Sequence, residues 1–335
     1  MKYKLLALLC FLRVVLSMDA QINPKWIPEL STSTTSNFNY DGGKDITNFT
    51  LSSMDADWKN SGNGFSAQIS YDVVAKHMMG LNVAWQFTPW FKVTLGEMKV
   101  KFLNEFSYSP RTLEVCGYSQ GISYLGGYTR DICGLSTRAR DWGVTFSGNI
   151  GQHDNFYRFN YTLGIFNGNG YKIKDDNSAK NFTALFLYNF TASFKASIGG
   201  MLGKYTVEDS ETSSHLGDRN RLAGGLWYDD GRFFAKAEAV YGKTDRRESS
   251  GIFLLTGLWV RPDMAFAFRG DTFLMDNSSS DTRTTNADIC FSHKLGQVFR
   301  YRVQYRHTFN TNPDTKDSNI LSLSVSMKFS SRQMK

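Results

Sequence analysis

The segment from Ile320 to Phe329 alternates apolar and polar side chains without a break. The apolar positions are Leu321, Leu323, Val325, Met327 and Phe329, and the polar positions are Ser322, Ser324, Ser326 and Lys328. Because side chains in a strand point to opposite faces with a period of two, this pattern predicts a strand with one apolar and one polar face. Such a strand fits either a soluble sandwich or a membrane barrel whose outer face contacts lipid.

The N-terminal residues have the pattern of an exported protein. Lys2 and Lys4 precede an apolar run, Leu5 to Leu16, which only Arg13 interrupts, and the small residue Ala20 follows it. We therefore expect residues 1–20 to be a secretory signal peptide. An uncleaved anchor is the weaker alternative, because a spanning helix needs about 20 apolar residues and this run is shorter and charged.

The composition of the rest of the chain favours the membrane barrel. No later segment is apolar enough to cross a bilayer as a helix, which excludes a helical membrane protein. Aromatic residues make up 15% of the chain, as a lipid-facing band with aromatic girdles requires, and only 6 prolines interrupt it. The formal net charge of +7 means that the exported protein would attract anions or anionic surfaces.

Alternating segments recur along the chain and predict fifteen or sixteen strands. They lie near 28–40 (the weakest), 46–58, 64–74, 79–87, 90–102, 141–150, 155–167, 181–190, 194–206, 219–229, 232–244, 249–261, 264–275, 284–295, 299–309 and 318–329. Each is about ten residues long, the length that crosses a bilayer when tilted by about 45°. Soluble sandwiches use shorter strands and would divide this length into two domains. We therefore predict that residues 21–335 form one all-β domain, a transmembrane antiparallel barrel of about 16 strands.

The connections alternate in length, as those of an outer-membrane barrel do. Three of them are tight: Asn189 to Phe194, Asp229 to Arg232 and Arg261 to Met264. Four are longer and polar: Asn169 to Lys180, Val207 to Asp218, Asp276 to Thr282 and Asn310 to Lys316. This alternation predicts short turns on one rim and long loops on the other.

The longest connection, 103–140, contains four arginines, Arg111, Arg130, Arg138 and Arg140. A loop of this length in a compact domain usually has a function. It could fold into the lumen and narrow it, with Arg111 lining the pore, or it could lie outside in solvent. Its two cysteines, Cys116 and Cys133, could form a disulfide in an oxidising compartment.

The strand from Phe299 to Phe309 places three arginines on its polar face, Arg300, Arg302 and Arg306. A guanidinium stays charged in proteins and offers five donors that match carboxylate and phosphate. A row of them along the lumen would give an anion successive exchangeable partners, which is a mechanism for anion conduction. Alternatively, they form ion pairs with lumen acids such as Glu238 and only fill the wall.

Further basic residues occupy strand positions that are predicted to face the lumen. In the stretch from Phe91 to Phe102, Gly96 predicts a bulge that changes the face of the residues after it. With that shift, three lysines face the lumen, Lys92, Lys99 and Lys101. Three more strands each contribute one basic residue, Arg158, Lys236 and Arg269.

An enzyme on the barrel is a weak alternative. Ser292 adjoins His293 and Ser214 adjoins His215, but adjacent strand residues face opposite ways and cannot act together as nucleophile and base. The chain has no triad-like group and no Cys/His spacing typical of zinc. A plugged structural or adhesive barrel is the third class, although about 16 strands leave room for a water-filled channel.

Several segments resemble the phosphate-selective porin O and P family of bacterial outer membranes. The stretch from Leu95 to Glu105 is similar to the family's Gly-Gln-Phe-Lys segment and the Glu that follows it. The other similar segments are Arg140 to Val144, Leu163 to Gly170 with its Phe-Asn-Gly element, Ala237 to Gly242 and Arg269 to Phe273. The resemblance implies a barrel of about 16 strands, usually a homotrimer, with a lumen lined by Arg and Lys.

We therefore predict an outer-membrane porin for passive diffusion of small anions, with phosphate as a candidate solute. Arg300, Arg302 and Arg306 would form the wall ladder, and Lys99 and Lys101 would lie near the constriction. Diffusion follows the solute gradient, so no cofactor or metal is expected. The expected partners are small anions and outer-membrane lipid, with no nucleic acid. The alternatives are a general non-selective porin and a plugged structural or adhesive barrel.

Overall fold

The structure is a computed structural model that describes residues 27–42, 46–62, 64–129, 131–135, 138–170, 175, 177–210 and 213–331. The predicted signal peptide, 1–20, and Arg130 lie outside these residues. None of the helices in the described residues is long and apolar enough to cross a membrane.

The described chain is almost entirely β-sheet. Its strands are β1 (Ile27–Asp41), β2 (Ile46–Gly62), β3 (Phe65–Asp72), β4 (His77–Thr88), β5 (Phe91–Lys99), β6 (Arg140–His153), β7 (Phe156–Phe166), β8 (Asn181–Asn189), β9 (Phe194–Leu202), β10 (Lys204–Ser210), β11 (Ser213–Asp229), β12 (Phe233–Thr244), β13 (Arg247–Arg261), β14 (Met264–Leu274), β15 (Arg283–Leu295), β16 (Phe299–Asn310) and β17 (Ser318–Ser330). Two 3-10 turns, Glu105–Ser107 and Ser280–Thr282, and the short helix α1 (Gln120–Tyr124) complete the described elements.

The strands close into one antiparallel barrel. Consecutive strands pair with each other, except β9 and β10, and β1 pairs with both β2 and β17, which closes the sheet. Only Gly203 separates β9 from β10, and both pair with β11, so together they form one strand of the wall. The barrel therefore has 16 wall strands, and the prediction of a transmembrane β-barrel is confirmed.

Alternation along the strands divides the outer from the inner face. In β14, Phe266 and Phe268 are 46% and 51% exposed, whereas Ala265 and Ala267 are each 1% exposed. The outward residues of neighbouring strands are also large and apolar, among them Leu254 and others of the same kind: Leu222, Leu226, Ile252, Leu258, Ile289 and Val303. This outer belt is the surface that lipid covers in a membrane barrel.

Aromatic side chains gather at one rim. At the turn between β4 and β5, the rings of Phe87 and Phe91 lie 5.5 Å apart, and Phe91 stacks on Phe146 at 6.3 Å. Trp90 at this turn is 57% exposed. Aromatic rings at this height suit the boundary between lipid and water.

The two rims differ in their connections, as predicted. The turns 89–90, 154–155, 190–193, 230–232, 262–263 and 296–298 lie at one rim, together with the start of β1 and the end of β17. The described residues of the connections 100–139 and 167–180 begin and end at the other rim, where the connections 275–282 and 311–317 also lie. One expected loop, Val207 to Asp218, is instead largely strand, because Tyr205 and Val207 pair with Gly217 and His215 in an extended hairpin.

The connection 100–139, here called the inner segment, lies inside the barrel. Its described residues make hydrogen bonds with inward-facing side chains of β2, β11, β12, β14 and β16. Its apolar residues pack on the inner face of β9 to β14 in a core that contains Phe102, Phe106 and Ile122 from the segment and Met201 and Val240 from the wall. This side of the lumen is therefore filled by protein.

Candidate functional site

A cavity of about 1060 Å³ runs along the other side of the lumen, between the inner segment and the inner faces of β1, β2, β3, β16 and β17. Its lining includes the turn 296–298 at the short-turn rim. At the long-loop rim the lining includes Asn39 and Ile320. The cavity, here called the passage, thus extends along the height of the barrel.

Basic side chains predominate in the lining of the passage. Ten lysines and arginines line it: Lys59, Lys99, Arg111, Arg138, Arg140, Lys294, Arg300, Arg302, Arg306 and Lys328. Three acidic residues line it, all on β2 and β3: Asp55, Asp57 and Asp72. Because most of the basic residues belong to the inner segment, its flanks and β16, the two signs of charge face each other across the passage.

Two ion pairs connect the two charged walls. Arg111 of the inner segment pairs with Asp55 of β2, and its Nε lies 3.3 Å from Thr35 Oγ1 on β1. Arg138 reaches Asp72 of β3 at 3.5 Å, and its side chain remains 37% exposed. These contacts are where the inner segment approaches the opposite wall, so they mark the narrow part of the passage.

The predicted arginine ladder lines the passage, but each member already has protein partners. Arg302 is 2% exposed and donates to the carbonyl oxygens of Pro110 at 2.7 Å and Val115 at 2.9 Å. Arg300, 7% exposed, donates to the carbonyl oxygen of Arg111 at 3.1 Å. Two of the three guanidinium groups therefore hold the inner segment by its backbone.

Arg306 has an acidic partner, as the alternative prediction required, but the acid is not Glu238. Its Nε and Nη2 donate to the two carboxylate oxygens of Asp288 at 2.6 and 3.0 Å. Glu238 instead accepts hydrogen bonds from the backbone N–H groups of Asn104 at 2.6 Å and Glu105 at 3.1 Å. A carboxylate of the wall thus anchors the start of the inner segment.

The lysines near Gly96 occupy different environments. Leu95 is 55% exposed and Glu97 is 4% exposed, so the face of β5 shifts at Gly96, whose φ is +127°. Beyond the shift, Lys99 lines the passage, and its Nζ donates to the carbonyl oxygens of Phe106 at 3.1 Å and Tyr108 at 3.0 Å. The bulge therefore directs Lys99 toward the inner segment.

The other basic residues that were predicted to line the pore do not line the passage. Lys92 is half-buried on β5, and burial lowers the pKa of Lys101, with Lys92 and Arg140 lowering it further. Arg158 donates to the carbonyl oxygen of Phe190 at 2.8 Å, at the short-turn rim. The prediction differs from the structure because alternation along a strand predicts only which face a side chain lies on. It does not predict whether that side chain reaches the open part of the lumen.

Lys236 and Arg269 lie on the strands that the inner segment covers. Lys236 forms an ion pair with Glu114 at 2.7 Å. Arg269 is 2% exposed, pairs with Asp288 at 2.7 Å and donates to the carbonyl oxygen of Gly117 at 3.0 Å. Both residues therefore attach the inner segment to the wall, away from the passage.

Acidic anchors of the inner segment are absent from the predicted site. Asp271 of β14 accepts a hydrogen bond from the N–H of Gln120 at 2.8 Å, at the start of α1. Within the inner segment, Asp131 pairs with Arg219 at 2.7 Å and Arg221 at 3.3 Å. Burial would raise the pKa of Asp131, but these two arginines hold it below its usual value. The sequence feature that could have revealed such anchors is an acidic residue at an inward-facing strand position, as Asp271 is.

The predicted cysteine pair is not bonded. Cys116 and Cys133 are both free thiols. Cys133 donates from Sγ to Asp131 Oδ1 at 2.9 Å, whereas Cys116 lies against the wall at Cys290. The two cysteines of the inner segment therefore have different neighbours, because the segment folds over different strands at each of them.

Ser292 and His293 have separate environments. Ser292 is 1% exposed and accepts a hydrogen bond from Arg300 at 3.4 Å. His293 contacts the hydroxyl of Tyr301 at 3.0 Å. Since they are adjacent on β15, they face opposite sides of the wall, as expected from strand geometry.

Comparison with known proteins supports the fold. No family model and no curated protein matches the sequence. Among solved structures, an anion-selective porin from Comamonas acidovorans matches with a TM-score of 0.64 at 12% identity, covering 91% of this chain and 99% of that chain. The outer membrane channel DcaP of Acinetobacter baumannii matches with a TM-score of 0.63 at 12% identity, covering 91% and 97%.

A third match is the trimer form of OmpT, an outer membrane protein of Vibrio cholerae, with a TM-score of 0.64 at 11% identity and coverage of 91% and 100%. Identities this low show the fold alone. The chain has the fold of the outer-membrane porins. A closed barrel of this fold with an apolar outer belt is an outer-membrane protein.

Proposed function

We propose that this barrel is a porin through which small solutes diffuse passively, with a preference for anions. The observation that carries the proposal is the passage itself, which ten basic and three acidic residues line. An excess of positive charge in a channel of low-dielectric walls raises the local concentration of anions and lowers that of cations. No energy source beyond the solute gradient is needed.

The exchangeable partners of an anion would be the arginines at the narrow part of the passage. Arg138 is the most open of those that pair across it, with 37% of its side chain exposed. Arg111 is 22% exposed at its side chain. Arg300 and Arg302 are more deeply buried and hold the inner segment, so they contribute their charge to the field and bind solute less directly.

Phosphate is the candidate solute among small anions that this chemistry suits best. A guanidinium offers paired donors matched to phosphate, and Arg111, Arg138 and Arg140 all line the same passage. The family resemblance of the sequence points to the same solute. We also propose that the protein is a homotrimer, the form in which the similar OmpT structure was described.

The experiment that tests the function is the reversal potential of the refolded protein in a planar bilayer under a KCl gradient. We expect discrete conductance steps and a potential with the sign of anion preference. Phosphate is then titrated, and block at low phosphate supports the phosphate proposal, while anion preference without block leaves a general anion-leaning porin. A barrel without conductance would be the plugged or adhesive class.

The charged lining is tested by the double variant Arg111→Gln and Arg138→Gln. We expect the anion preference to fall several-fold while the single-channel conductance persists, because two charges are removed from the narrow part. The matched control is Arg261→Gln, whose side chain is 67% exposed and lies at the short-turn rim. An unchanged reversal potential in the double variant would contradict the assigned role of these arginines.

A further inference from the structure

Residue 116 of the inner segment is held against the wall by contacts on both sides of it in the chain. Its own N–H donates to Gln304 Oε1 of β16 at 2.7 Å. The carbonyl oxygen of Val115 accepts a hydrogen bond from Arg302 at 2.9 Å, and that of Gly117 accepts one from Arg269 at 3.0 Å. Three consecutive residues are therefore fixed over β14 to β16.

Cys290 of β15 lies at the same place on the wall. It is the register partner of Gln304 on β16, the residue that binds the Cys116 backbone. Cross-strand partners have Cβ atoms about 4.5–5.5 Å apart. Val115, the residue before Cys116, belongs to the same apolar cluster as Cys290. The backbone contact of Cys116 with Gln304 and this shared cluster place Cys116 and Cys290 next to each other, and each thiol affects the pKa of the other.

The two thiols differ in access. Cys116 lines the passage, where dissolved solutes reach it. Cys290 has a relative exposure of 0% and lies behind it. The neighbouring Cys290 lowers the pKa of Cys116 below its usual value, burial opposes this, and Arg302 adds to the lowering. A thiolate is the reactive form of cysteine, so Cys116 is the thiol placed to react first.

We propose that Cys116 and Cys290 form a redox-controlled disulfide that ties the inner segment to the barrel wall. The oxidant is a disulfide donor, either a small-molecule disulfide or an oxidised dithiol protein of an oxidising compartment. The bond would fix the position of the segment that narrows the passage. In the reduced form only non-covalent contacts hold that segment at residue 116.

The reaction is two successive thiol–disulfide exchanges. The Cys116 thiolate attacks one sulfur of the donor disulfide, which forms a mixed disulfide and releases the first donor thiolate. The Cys290 thiol loses its proton and attacks the sulfur of Cys116, which forms the protein disulfide and releases the second donor thiolate. The protein loses two thiol protons and two electrons, and the donor disulfide gains both as two thiols.

The test treats the folded, detergent-solubilised protein with oxidised glutathione and maps bonds by peptide mass spectrometry without reduction. We expect a peptide that joins Cys116 to Cys290 and the loss of both from thiol labelling, while Cys133 remains labelled. Cys133→Ser is the matched control and should form the same bond. Cys290→Ser should retain a glutathione adduct on Cys116, because the thiol that displaces glutathione is absent.

The functional readout is single-channel recording of the same protein before and after a reductant. We expect oxidation to reduce the frequency of current fluctuations several-fold in the wild type and in Cys133→Ser, with no change in Cys290→Ser. A wild-type protein that keeps a stable glutathione adduct on Cys116, or that joins Cys116 to Cys133, would overturn the proposal. The bond is mapped independently of transport, so a failed porin assignment would not affect this result.

Discussion

At the scale of single residues, the charged side chains inside the barrel bind the inner segment, line the passage, or do both. Arg302 and Arg300 donate to backbone carbonyl oxygens of the inner segment, and Glu238 accepts from its N–H groups. Buried polar groups need such partners, since an unpaired one costs about 1–3 kcal/mol. The barrel therefore uses charged side chains of the wall to stabilise an irregular segment of the chain.

Glu105 makes this stabilisation depend on pH. Burial raises its pKa from 4.5 to about 7, Arg269 opposes the shift, and Ser119 donates to its carboxyl group from Oγ at 2.7 Å. Because the pKa is raised in the folded state, the folded protein binds the proton more tightly than the unfolded chain. The stabilisation that protonated Glu105 gives is full below pH 4.5 and is lost as the pH rises to about 7. Over this window the free energy of unfolding falls by about 3 kcal/mol.

The measurement is denaturant-induced unfolding in detergent at a series of pH values, with Glu105→Gln as the comparison. As the pH rises through this window, the wild type should lose stability relative to the variant, because the amide of Gln does not titrate. Other buried acids, such as Asp131, titrate in both proteins and cancel in the difference. A constant difference from pH 4 to 8 would argue against a titrating Glu105.

At the scale of elements, the inner segment can approach the wall because some inward positions lack a side chain. A Cβ at Gly199 of β9 would lie 2.0 Å from the carbonyl oxygen of Phe102. We expect Gly199→Val to displace the start of the inner segment, since the clash is with backbone and no rotamer relieves it. Limited proteolysis of the folded barrel should then cut within 100–139 at least several-fold faster.

The control for this prediction is Gly270→Ala on β14, where a Cβ would meet nothing within 4 Å. Gly270 is exposed on the outer face of β14, so the variant protein should be cleaved at the same rate as the wild type. Equal cleavage rates for Gly199→Val and the wild type would show that the inner segment can pack at Phe102 even when residue 199 has a side chain.

Sequence reasoning predicted the wall far better than the interior. Most of the strands are visible as a period-two pattern, because lipid on one side and polar lumen on the other enforce alternation, whereas the extension of the hairpin from Val207 to Asp218 was expected to be a loop. Parity also placed Arg302 and Arg269 on the inner face, where the structure has them. Their partners, Pro110 and Gly117, lie more than a hundred residues away in the chain. No local pattern encodes such a pairing.

The sequence does contain a feature that marks the filled half of the lumen, although a search for alternating residues overlooks it. On β13, Phe253 and Leu255 are 3% exposed on the inner face, while Leu254 between them is 54% exposed on the outer face. A run that is apolar on both faces indicates a strand buried on both sides. Continuous apolar stretches on β12 to β14 therefore mark where the inner segment packs, whereas strictly alternating β17 marks the wall of the passage.

At the scale of the whole molecule, the inner segment divides the barrel into a packed half and a charged passage. The side of the passage formed by the segment and β16 is basic, and the side formed by β2 and β3 is acidic. Anions and cations would therefore follow different sides. In the proposed anion-selective channel, the excess of basic groups would set the net preference, and the acidic wall would reduce it.

This arrangement predicts that anion preference depends on salt. The Debye length is about 10 Å at 0.1 M and about 3 Å at 1 M, so at high salt the passage charges act only on ions in contact with them. At a fixed ratio of salt across the bilayer, the reversal potential should fall toward zero as the mean concentration rises. Asp55→Asn together with Asp57→Asn should increase the preference for anions at 0.1 M, because it removes the opposing field, and should have a smaller effect at 1 M. A preference that is independent of salt would instead indicate selection by direct binding at one site, and the double variant would then leave it unchanged.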